Sequence, residues 1–127
     1  MLRTSARFFR ALVFVAATSC GTSPGPASTP PDCKAGLPTK DACATNAPSY
    51  ATDIAPLVEA RCLGCHFKGN PNSSVVLETQ AEMSQQTQLV ETQIYRCEMP
   101  PADGGIPLTD TERTELLQWL VCGAPNN

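Results

Sequence analysis

The sequence predicts a small all-α domain, and three observations carry that expectation. Ile54, Leu57, Val58 and Cys62 recur at helical spacing. Residues 109–121 open on a Thr-x-x-Glu capping signature and continue with Leu116, Leu117, Leu120 and Val121 on one face. Nothing reads as a strand–helix–strand unit, Val75-Val76-Leu77 being a short strand or an apolar loop anchor.

Residues 1–19 read as an export signal. Arg3, Arg7 and Arg10 form a basic start, and Ala11 to Ala17 an apolar core. That core is well short of the ~20 residues a membrane span needs. Ala17-Thr18-Ser19-Cys20 resembles a bacterial lipobox, although lipoboxes usually carry Leu where this chain has Ala17. The resemblance implies lipidation of Cys20 and, with Gly21 following it, an outer-membrane location; plain cleavage near Ala17 or Ser19 is the alternative.

Residues 20–32 are rich in Pro, Ser and Thr and lack apolar periodicity, so they are expected to be a disordered tether. Residues 33–48 read as a small cysteine-containing loop segment, and residues 49–125 as the compact domain. Without the three arginines of the signal, residues 20–127 hold six basic and twelve acidic side chains, a net charge of −6. No basic patch or aromatic stacking run points to nucleic acid. An acidic surface steers instead toward a basic docking face.

In the domain, Asp53 is the expected N-cap of the first helix, with Pro56 in its first turn, where a missing N–H costs little. Arg61 and Glu59 are expected on the solvated side. Residues 78–97 are polar, with Met83, Leu89, Val90, Ile94 and Tyr95 spaced as one or two helices. The last helix starts at Thr109 with Glu112 completing the box, Trp119 flanks its apolar face, and Gly123 and Pro125 end it.

The first helix leads into Cys62-Leu63-Gly64-Cys65-His66, the C-x-x-C-H signature of c-type haem attachment. Two thiols a helical turn apart can each add across a porphyrin vinyl group, and the adjacent imidazole then ligates the iron. The competing readings are a thioredoxin-like redox pair, half a zinc site, or two ordinary disulfide cysteines. The first lacks its usual strand–helix setting, and a zinc site needs thiols that an exported chain tends to oxidise.

His66 is the only histidine, so a six-coordinate iron requires another type of ligand. Met99 in Cys97-Glu98-Met99-Pro100-Pro101 follows a segment expected to be helical, and its prolines stiffen the loop that would present the thioether. Met83 reads as a core methionine.

The chain has seven cysteines. With Cys20 for lipid and Cys62 and Cys65 for haem, Cys33, Cys43, Cys97 and Cys122 remain for two disulfides. Three pairings are possible; Cys33–Cys43 with Cys97–Cys122 is the expected one.

The order of helix, C-x-x-C-H, intervening segment, Met-Pro loop and C-terminal amphipathic helix resembles the small monohaem cytochrome c family over roughly residues 50–124. The stretches Met99-Pro100-Pro101 and Leu108-Thr109-Asp110-Thr111-Glu112-Arg113 strengthen the resemblance. It implies an all-α cytochrome c-like domain around one covalent haem, with the first and last helices crossing near it at Trp119 or Leu120. Cys97, Cys122 and the short His66–Met99 interval depart from many members.

The expected function is a membrane-tethered electron carrier of the cell envelope with His66 and Met99 as axial ligands. It is not expected to be an enzyme, and no nucleophile–base pair or phosphate-binding loop is visible. Redox partner proteins are the expected partners, met as a monomer or within a redox complex. The alternatives are a haem-based ligand sensor or peroxidase-like protein with an open sixth position, and a haem-free, disulfide-stapled surface lipoprotein.

Overall fold

The structure, a computed structural model, describes Cys33 and residues 36–127. The proposed signal, Cys20 and the tether lie outside the described residues. A 3₁₀ turn at Lys40–Ala42 runs into the short helix α1, Cys43–Asn46. A π-helical turn at Tyr50–Ile54 leads directly into α2, Ala55–Arg61. Helices α3, Gln80–Gln85, and α4, Thr87–Tyr95, follow, and α5, Asp110–Val121, closes the fold. The described residues contain no strand, so they are all-α, and Val75–Leu77 is an extended loop anchored by buried Leu77. No helix among them is long and apolar enough to cross a membrane.

The first helix starts earlier than its sequence suggests. Ser49, not Asp53, flanks the helical run, and Asp53 sits inside the first turn, where its Oδ2 accepts from the Ser49 N–H at 2.8 Å. The carboxylate thus satisfies an orphan donor from within the helix. Pro56 does fall in the first turn of α2.

Helices α3 and α5 start on complete capping boxes, whereas α4 has no side-chain cap. Thr109 Oγ1 accepts from the Glu112 N–H at 3.2 Å, and Glu112 Oε2 accepts from the Thr109 N–H at 2.8 Å. Thr79 and Glu82 repeat the arrangement at α3. At the end of α5, Gly123 takes φ +86°, and the N–H groups of Gly123 and Ala124 return to the carbonyls of Leu120 and Trp119. This is a Schellman closure, which needs a left-handed residue just past the helix.

The core gathers Ile54, Leu57 and Val58 from the first helical run, Met83, Val90 and Ile94 from α3 and α4, and Leu116, Leu117, Trp119 and Leu120 from α5. Trp119 is fully buried rather than flanking: its ring packs 5.7 Å from that of Tyr50, and its Nε1–H donates to the Pro125 carbonyl. Met83 is a core methionine, as expected.

The disulfides join Cys33 to Cys97 and Cys43 to Cys122, which corrects the expected pairing. The reason is the chain path: α1 lies against the end of α5, and Cys97 turns outward after α4 toward Cys33. The 33–48 segment is therefore no self-closed loop, since each of its cysteines bonds into the helical domain.

Candidate functional site

The first helical run does not stop at Arg61. The Cys62 N–H bonds to the Val58 carbonyl at 2.8 Å, and the N–H groups of Cys65 and His66 both return to the Cys62 carbonyl, at 3.1 and 2.9 Å. The C-x-x-C-H segment is thus a wound extension of α2, which turns its cysteines and histidine toward one side. Asn70 fastens the far end by donating its Nδ2–H to the Cys65 carbonyl at 2.6 Å. The Leu77 N–H bonds to the His66 carbonyl at 2.9 Å, bringing the 67–77 loop back beside the motif.

His66 Nδ1 lies 3.1 Å from the Val75 carbonyl oxygen and 3.0 Å from Ser73 Oγ. A carbonyl oxygen only accepts, so this contact places the proton on Nδ1 and leaves Nε2 as the nitrogen available to a metal.

The Met99 loop has its own supports. Cys97 takes φ +54°, turning the chain out of α4, and the N–H groups of Glu98 and Met99 return to the Gln93 carbonyl at 2.9 and 3.3 Å. Arg113, almost completely buried, donates from Nε and Nη2 to the carbonyls of Ile94 and Tyr95, at 3.1 and 2.7 Å. It closes the C-terminal end of α4 directly before the loop. Gly105 lies so close to Pro100 that any Cβ there would run into the proline ring. The Met99–Pro100 peptide is cis.

These supports meet at one cleft of about 250 Å³. Cys62, Cys65 and His66 line one part and Met99 another, with Leu77, Met83, Val90, Ile94 and Leu116 between them. All four residues that the sequence singled out for haem therefore reach the same cavity. Met99 stands at the rim, 37% exposed. The polar side chains on the lining, besides His66, are Arg61 and Gln93.

Arg61 is not on the solvated side as the sequence suggested. Its Nη2 pairs with Glu112 Oε1 at 2.8 Å, joining the end of α2 to the start of α5. Burial pushes the Glu112 carboxyl up, but the Thr109 and Arg61 hydrogen bonds outweigh it and hold the group below its ordinary value. Burial drives the Cys62 thiol up to about 11 despite the neighbouring Arg61 charge.

Cys62 is a free thiol. Cys65 is disulfide-bonded in this structure, so only one of the two motif sulfurs is a thiol here.

The wall of the cleft is aliphatic, and the groups on it that can bond a ligand or metal are one imidazole, two cysteine sulfurs and one thioether, a set whose chemistry suits an apolar group that carries a metal. The sequence did not point to Ser73, Asn70 or Arg113. Ser73 and Asn70 act through the loop after the motif, and Arg113 shows only as a charge on an apolar helix face. Comparison with known proteins finds no matching family model, no similar curated protein and no matching solved structure.

Proposed function

We propose that the chain is a monohaem c-type electron carrier, tethered at the cell envelope through its N-terminal segment. The observation that carries this reading is the convergence of Cys62, Cys65, His66 and Met99 on one apolar cleft. Cys62 and Cys65 would hold the porphyrin through thioether bonds, His66 Nε2 would be the proximal ligand and Met99 the distal one. A haem held this way supplies a reversible one-electron couple, and a thioether ligand favours its ferrous state and hence a higher potential.

The remaining work belongs to the protein. Leu77, Val90, Ile94 and Leu116 exclude water from the cleft and lower its dielectric. The hydrogen bond at Nδ1 keeps His66 in one tautomer. Arg113 and the Gln93 carbonyl set where the Met99 loop leaves α4. Attachment needs both motif sulfurs as thiols, since each adds as S–H across a vinyl group. Redox proteins with a basic docking face suit the acidic surface of the chain.

The exposure of Met99 at the rim favours one second reading, a haem protein whose sixth position opens to small ligands. Ferric near-infrared spectroscopy separates the two. The carrier shows a sulfur-to-iron band that Met99→Ala abolishes. Absence of that band in the native protein, with spontaneous CO binding to the ferrous form, would instead identify the ligand-binding protein.

A further inference from the structure

Three polar groups close a small knot behind His66. Ser73 Oγ lies 3.0 Å from His66 Nδ1 and donates to the Val75 carbonyl at 3.1 Å. It also accepts from the Val75 N–H at 3.2 Å. The Val75 carbonyl in turn lies 3.1 Å from the same Nδ1. With the proton on Nδ1, that N–H is shared between two oxygens, and the Ser73 hydroxyl holds the second oxygen in place.

We propose that Ser73 is a positioning residue for the proximal ligand, which fixes the His66 ring and strengthens it as an electron donor to iron; this rests on the haem reading above. An N–H that donates to good acceptors leaves more electron density on the ring, and so raises the basicity of the opposite nitrogen. A more basic Nε2 stabilises ferric iron more than ferrous. Removing Ser73 Oγ deletes one acceptor and frees the 73–75 turn. The Val75 carbonyl has a second lone pair and keeps its own contact, so the effect is a partial weakening of the donor.

The test uses the full-length, haem-loaded protein and compares Ser73→Thr with Ser73→Val, which match in shape and differ by the hydroxyl, with Ser73→Ala as a third variant. The Val and Ala variants should have a higher reduction potential. At a fixed potential their ferrous-to-ferric ratio should rise about twofold to fivefold, a part of what one hydrogen bond is worth. In the diamagnetic ferrous protein, the His66 Nδ1 proton should exchange faster with solvent, while Ser73→Thr behaves as wild type.

Unchanged or lowered potentials in loaded Val and Ala variants, with unchanged exchange, would overturn the role of Ser73 and leave the haem reading standing. Absence of covalent haem from the wild-type protein would overturn both. If Ser73→Ala fails to load, the Thr and Val pair decides the matter on the same two readouts.

Discussion

Glu112 shows how one side chain can serve two structures. Its Oε2 closes the cap of α5 and its Oε1 holds Arg61 at the edge of the cleft. Because the folded state lowers its pKa, the carboxylate contributes stability above its unfolded value near ~4.3. That contribution is lost as pH falls through the lower native value. Urea unfolding midpoints should therefore fall over this acid range, and Glu112→Gln should flatten the fall; identical acid slopes would rule out the linkage. Cys62 makes a second residue-level prediction. With its thiol pushed up to about 11, alkylation of Cys62 in the folded, haem-free chain should be slow at neutral pH and accelerate as pH rises toward that value. Rapid labelling at neutral pH would show that the thiol is not shielded.

Among the elements, α5 ties the site together, since it caps itself, seals α4 through Arg113 and packs Leu116 into the cleft. Thr109→Ala should cost about 1 kcal/mol in denaturant unfolding, with Thr109→Ser close to wild type. Gly105→Ala should cost about 1–3 kcal/mol, because the added methyl has to displace Pro100. In the loaded protein it should also weaken the near-infrared sulfur band, since Pro100 follows Met99, the proposed ligand. The helix signals were legible where the hydrogen bonds are local. Thr109 and Glu112 are three residues apart and capped as expected, and Thr79 and Glu82 carry the same readable signature. Asp53 was misplaced because an acidic side chain can cap from before a helix or from inside its first turn, and only the Ser49 contact distinguishes the two. Ser73 had no signal at all, since its role depends on a loop folding back onto His66.

For the whole molecule, two long-range disulfides supplement a small core. The cysteine count pointed to two bridges, but their partners depend on how α1 and the Met99 loop lie against the rest, which spacing does not encode. The bridges span 64 and 79 residues, so each constrains a long stretch of unfolded chain. Removing the Cys43–Cys122 bridge with paired alanines should cost about 2–4 kcal/mol by urea unfolding. The motif cysteines, His66 and Met99 were legible as a set, because ligand chemistry allowed few other choices in a chain with one histidine. Their meeting in one apolar cleft required the fold. The central claim is that this cleft holds a covalent haem. The most direct measurement is haem-dependent peroxidase staining after denaturing electrophoresis, on full-length protein exported with a c-type maturation system. The expected result is a stained band at the position of the chain, lost in the Cys62→Ala, Cys65→Ala double variant. An unstained wild-type band, from protein shown to be exported alongside a maturing control cytochrome, would contradict it.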